Sequence, residues 1–183
     1  MDPQELASPS SLISTHAYEL IVCSDRLREE LLPDGRFISP YRVIQYKSVL
    51  ILNDAKGHSA TLTRHQTVEF LHDGTSALLE HLWGDGLTIN LEHDLGPIID
   101  NIRDGRYKHA VVDIGHPVKK GESLSFRTQR NLVGAFLKSD EWLETIVDHP
   151  VSEIEQIVVF PSERPCIEAS LQQDDRVDAL PVE

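Results

Sequence analysis

The stretch 68-VEFLHDGTSALLEHLWGDGLTINL-91 decides how this chain folds. Two Asp-Gly dipeptides, Asp73-Gly74 and Asp85-Gly86, each separate β-prone apolar runs. Asp-Gly in that setting signals a tight hairpin, because a type I′ turn needs positive φ at both central residues. With a two-residue loop, Asp73-Gly74 sets Phe70 opposite Ala77 and Val68 opposite Leu79. These four then share one face. The same rule at Asp85-Gly86 sets Leu82 opposite Ile89 and Glu80 opposite Leu91. The middle strand, 77–83, would carry Ala77, Leu79 and Trp83 on one side and Leu78 and Leu82 on the other. A strand apolar on both faces belongs in the centre of a sheet.

Working outward, Asp104-Gly105 predicts a third hairpin that pairs Ile102 with Tyr107, Asp100 with His109 and Ile98 with Val111. The Asp100–His109 pair would be pH-sensitive. A rival reading makes 97–104 a short helix with Pro97 at its first position. The pattern also marks strands at Tyr41–Leu52, Ser59–Leu71, Ser123–Thr128 and Ser152–Phe160, with 166–171 as a short edge strand. Helical spacing occurs at His16–Leu32, Leu132–Leu137 and Trp142–Val147, with Tyr18–Cys23 readable as a strand and the last two segments readable as strands joined by a Lys138–Glu141 turn. Gly74, Gly86, Gly96, Gly105, Gly115 and Gly121 recur at the short intervals of sandwiches and barrels. The expected fold is mainly β: an antiparallel β-sandwich with an N-terminal helix and one or two short helices, the alternative being an α+β roll.

A length of 183 residues suits one domain. That domain is expected over 16–171, between a flexible tail at 1–15 and a flexible acidic tail at 172–183. Seventeen Lys and Arg against thirty Asp and Glu give a net charge of −13, which argues against a general phosphate-backbone binder. No run approaches the length of a transmembrane helix, and the start, MDPQELASPSSLIS, reads as no secretory leader. Cys23 and Cys166 are far apart, so reduced thiols and a cytoplasmic location are expected.

Chemistry is sparse. There is no phosphate loop, dinucleotide fingerprint or nucleophile elbow, and no cofactor is expected. The basic loop Gly115-His116-Pro117-Val118-Lys119-Lys120-Gly121 reads as a strand connection or an anion contact. His81, Glu92, His93 and Asp94 form the best His/carboxylate set for a divalent metal, although the hairpin register places His81 and Glu92 on one face and Glu80 and His93 on the other. Arg103, Arg106 and Lys108 share a face of the third hairpin, and Arg127, Arg130 and Lys138 form a second, looser basic set. Trp83, beside the Gly84–Gly86 turn, is a core residue or a binding anchor.

The function this favours is a non-catalytic cytoplasmic recognition or assembly module. It would bind a protein partner through a sheet face or loops, using Trp83, Arg103, Arg106 and Lys108, and homo-oligomers are compatible with it. One alternative is a metal-assisted hydrolase built on His81, Glu92, His93 and Asp94. Another is an acidic nucleic-acid mimic that blocks a DNA-binding protein. Direct nucleic-acid or membrane binding is not expected.

Overall fold

A computed structural model describes residues 40–82, 84, 86–104, 107–141, 143, 151–173 and 176–180, with the backbone alone at 103, 104, 107, 171–173 and 176–180. The fold is mainly β, and the described residues contain no helix. None of them therefore forms a helix long and apolar enough to cross a membrane. In chain order the strands are β1 (Tyr41–Leu52), β2 (Ser59–Phe70), β3 (Ala77–His81), β4 (Leu87–His93), β5 (Ile98–Asp104), β6 (Tyr107–Asp113), β7 (Ser123–Val133), β8 (Ile154–Val159), β9 (Ala169–Gln173) and β10 (Arg176–Leu180). They form a five-stranded sheet in the order β4-β7-β2-β1-β8, a three-stranded sheet β3-β6-β5, and the pair β10-β9. All ladders are antiparallel except β1–β8.

The expected strands Tyr41–Leu52 and Ser59–Leu71 are present as β1 and β2, the second one residue shorter. Their joint alternation explains the sheet. Leu50, Leu52, Ala60, Leu62, Val68 and Phe70 are buried on one face, while Lys47, Thr61 and Glu69 lie on the other. A bulge between Val43 and Gln45 inserts one residue, so Val43 and Leu50 share the inner face despite their odd and even numbers.

The first two Asp-Gly hairpins are corrected. β2 pairs with β1 and β7, and β3 pairs with β6, so Val68 faces Leu124 and Leu79 faces Val111 rather than each other. β4 pairs with β7, where Ile89 meets Asn131 rather than Leu82. Nor is β3 central: it is an edge strand buried in alternation, and β6, with Ala110, Val111 and Val112 all buried, is the central one. The Asp73-Gly74 segment is a corner that carries the chain from one sheet to the other. The β6–β7 connection crosses back beside it. Gly74 N–H donates to Val118 O at 2.9 Å, Val118 N–H to Thr75 O at 2.8 Å, and Lys120 N–H to the Asp73 carboxylate at 2.7 Å. Thus Asp73 caps a neighbouring connection and does not close a hairpin of its own.

The third hairpin exists, with its register corrected. Asp104 pairs with Tyr107, Ile102 with His109 and Asp100 with Val111, so Asp100 and His109 are not partners. Between the paired Asp104 and Tyr107 the chain passes through two residues rather than returning directly from the Asp-Gly pair. From Asp100 to Asp104 the shift is two residues, which preserves the face of each position and leaves the apolar pattern unchanged; a bulge beyond Asp100 then sets Ile98 opposite Val112.

Leu132–Leu137 is not helical. Leu132 completes the β7 alternation Leu124, Phe126, Thr128, Arg130, Leu132, and the period of two prevails over the two apolar pairs. The helices expected at His16–Leu32 and within Trp142–Val147 lie outside the described residues, apart from Leu143, which has no regular structure. The N-terminal tail lies outside them as well. Residues on both sides of the expected 171/172 boundary form the β9–β10 pair, with Gln173 opposite Arg176.

Two apolar clusters result. One joins Val43, Val68, Phe70 and Phe126 of the five-stranded sheet to Leu78 and Val112 of the three-stranded sheet, with Ile114 and Val118 from the corner. The other gathers Leu50, Leu52, Ala60, Leu62, Leu132 and Ala135 at the opposite end of β1, β2 and β7.

Candidate functional site: a buried polar belt and an open strand edge

Between the two apolar clusters, one inner-face row of the five-stranded sheet is polar on every strand. Gln156 on β8 neighbours Ser48 on β1, Ser48 neighbours Arg64 on β2, Arg64 neighbours Thr128 on β7, and Thr128 neighbours His93 on β4. Arg130 follows Thr128 two residues along the same face, diagonal to Arg64. Ser48, Arg64, Thr128 and Arg130 are all at least nine-tenths buried.

The belt is covered from the other sheet. Glu80 on β3, also buried, forms an ion pair with Arg64, and Arg64 Nη2 donates to the His81 carbonyl at 3.4 Å. This pair ties the sheets together. Burial pushes the Arg130 guanidinium down to about 10; the Arg64 charge acts the same way, and Tyr46 offsets part of the effect. At about 10, Arg130 stays charged at neutral pH. The hydroxyls of Ser48 and Thr128 are buried without a hydrogen-bond partner among the described residues.

His93 closes the row. A bulge between Ile89 and Glu92, with Asn90 at φ 50°, turns His93 inward and Glu92 outward. The His93 ring stacks on Phe126 with centroids 5.0 Å apart, and its Nδ1 accepts the Leu95 N–H at 3.2 Å. That bond makes Nε2 the protonated nitrogen of the neutral ring. Burial pulls its pKa down to about 4; Asp94 opposes that shift and Arg64 reinforces it.

The residues of the expected metal set are dispersed. His81 lies on β3, where its ring meets that of His109 edge-on at 4.6 Å. Glu92 and His93 face opposite sides of β4. Asp94 Oδ1 accepts the Arg127 N–H at 2.6 Å, and Asp94 N–H donates to Arg127 O at 3.1 Å, which anchors the end of β4. Among the described residues no group of three or more His, Cys, Asp or Glu is placed to hold a metal ion. Of the basic set, Arg103 and Lys108 are Cα partners near the end of the third hairpin, while Arg106 and Trp83 lie outside the described residues. The second basic set is split, because Arg127 is exposed and Arg130 is buried in the belt.

The basic loop 115–121 is occupied by the chain's own carboxylates. Glu122 accepts the Lys119 N–H at 3.0 Å and meets His116 Nε2 at 2.9 Å, and Asp73 accepts the Lys120 N–H. The His116 hydrogen bond, then the Lys119 N–H, hold the Glu122 carboxyl below its usual range.

At the far side of the five-stranded sheet, β8 pairs with β1 alone, and among the described residues no strand covers its other edge. Its apolar side chains point to both faces and stay exposed: Ile154 43%, Val158 38%, Val159 43% and the following Phe160 37%. Tyr46 N–H donates to Glu153 O, so odd-numbered backbone groups face β1. By alternation, the N–H and C=O of Ile154 and Val158 face the open side. Between Ile154 and Val159 the edge has no proline, lysine or bulge, and its one charged side chain is Glu155.

No family model matches this sequence, and no curated protein does. Among solved structures, an M1 zinc metallopeptidase from Deinococcus radiodurans bound to a Tyr-Ser-Ala substrate overlaps at a TM-score of 0.39 and 14% identity, covering 56% of this chain and 22% of that one. A two-domain M1 zinc metallopeptidase bound to L-arginine overlaps at a TM-score of 0.46 and 11% identity, covering 81% and 40%. The chain thus spans well under half the length of either protein, and overlaps this loose identify neither a shared fold nor a shared activity.

Proposed function

We propose that the chain is a non-catalytic recognition or assembly module of the cytoplasm, a β-sandwich that binds a protein partner by extending its five-stranded sheet at β8. The observation that supports this reading is the β8 edge that no strand covers among the described residues, with exposed apolar side chains on both faces. Strand addition uses main-chain hydrogen bonds for affinity and alternate side chains for specificity, and β8 offers both. The basic end of the third hairpin, Arg103, Arg106 and Lys108, together with Trp83, would supply a second contact. The belt fits the same reading as internal structure: its charged groups are paired across the sheets or held beneath them, away from any substrate in solution.

The test is affinity capture with the wild-type chain and Val158→Pro in parallel. Proline at 158 removes a donor from the open side and leaves the β1 ladder intact. The expected result is a partner lost in the variant, with the Ile154 and Val158 amides slowed in hydrogen exchange when the wild-type complex forms. A capture profile unchanged by the proline would sink the proposal.

A further inference from the structure

The edge at β8 is not chemically uniform, and its asymmetry specifies what binds there. This inference rests on the strand-addition reading above and adds the partner's chemistry. On the outer face, the N-terminal end of the edge carries Glu153 and Glu155, and the C-terminal end carries Ile157 and Val159. On the inner face lie Ile154, Val158 and Phe160. Glu155 shares its charge with Lys47 at 2.8 Å, whereas Glu153 is exposed and has no ion-pair partner among the described residues.

A second copy of this chain matches poorly. The stretch 151-VSEIEQIVVF-160 contains no lysine or arginine, so antiparallel pairing of two β8 strands sets each Glu153 and Glu155 against apolar or polar side chains and compensates neither. We infer that the occupant is instead an extended segment of another protein, apolar along its inner-facing side and basic at the end that lies against Glu153 and Glu155. For antiparallel addition, the commoner geometry, that basic end is C-terminal.

The probes are labelled synthetic peptides of about eight residues, read by fluorescence anisotropy against the full chain. All carry valine at alternate positions. The intervening positions are threonine in the N-terminal half and lysine, serine or glutamate in the C-terminal half. The lysine peptide is expected to bind about tenfold tighter than the serine peptide at low salt, and the glutamate peptide more weakly still. Added salt shrinks that difference. Glu153→Lys reverses the order of the lysine and glutamate peptides. Val158→Pro, and Val158→Lys as a second edge variant, remove binding of every peptide while thermal unfolding stays at the wild-type temperature.

Equal binding of the lysine and serine peptides, lost in both edge variants, overturns the basic-partner inference and leaves strand addition standing. Binding of no peptide, or binding indifferent to both edge variants, overturns both. A dimer that excludes the peptides and dissolves in Val158→Pro assigns the edge to a second copy and overturns the inference.

Discussion

Two Asp-Gly dipeptides in one chain have opposite fates. Asp104 ends β5, and the strands on either side of Asp104-Gly105, β5 and β6, pair with each other. Asp73-Gly74 lies between β2 and β3, which are never neighbours in a sheet. The chain changes direction between the strands in both places. Whether the flanking strands pair is decided by what else competes for their edges. β2 already has β1 on one side and gains β7 on the other over eleven residue pairs, leaving no edge for β3. β5 and β6 meet no such competitor at their turn. A turn motif therefore states that the chain changes direction; the longer ladders elsewhere determine the partner.

The largest test of this contrast is Glu80→Ala. Because β3 lies over β2 and not beside it, Glu80 is buried against Arg64, and its loss leaves a buried guanidinium without its carboxylate. The expected loss is about 3–5 kcal/mol in urea unfolding. A loss below about 1 kcal/mol would instead mark Glu80 as a solvent-exposed pair partner and contradict the contact between the sheets.

Gly86→Ala and Gly74→Ala come next. Both glycines have positive φ, at 79° and 96°, but a Cβ on Gly86 would meet Val133 O at 2.5 Å, whereas around Gly74 nothing lies within 4 Å. Gly86→Ala should cost about 2–3 kcal/mol and Gly74→Ala about 1 kcal/mol. The reverse order would contradict the packing of Gly86 on the end of β7. Asp73→Ala removes the acceptor for Lys120 N–H and should cost about 1 kcal/mol. No change in chemical unfolding would mean that the two corner connections do not brace each other.

The last test is a pH dependence at His93, on the strand that the hairpin reading pairs with β3. Its folded pKa, about 4, lies below the ordinary 6.5, so the unfolded chain takes up the proton first as pH falls. Stability should be complete above about 6.5 and decline toward about 4, and His93→Gln should flatten that slope relative to wild type. Parallel slopes for the two proteins would place His93 in solvent.

Much of the strand content was legible because β1, β2, β6 and β8 alternate strongly or run apolar, and local pattern suffices for existence. Partnering was not, because Val68 pairs with residues 25 positions before it and 56 after it, and no local signal spans that distance. The belt was written in the sequence but easily missed. Arg64 and Gln66 stand in phase with Ala60, Leu62, Val68 and Phe70, and Thr128 and Arg130 in phase with Phe126 and Leu132. Charged residues at core positions on neighbouring strands mark a buried polar row, but only once the strands are known to be neighbours. The open edge was half visible: Ile157-Val158-Val159-Phe160 reads as an apolar strand, and only topology shows that it has a single partner among the described residues.

The polar belt also carries an expectation for the order of assembly. Water must leave Ser48, Arg64, Thr128 and Arg130 before the sheets close, and Arg64 gains its carboxylate only when β3 arrives. The paired strands β1, β2 and β7 bury Leu50, Leu62 and Leu132 without that event. Refolding followed in real time is therefore expected to gather one sheet around its own aliphatic end first, with docking of β3-β6-β5 and the dehydration of two guanidinium groups as the later, slower phase.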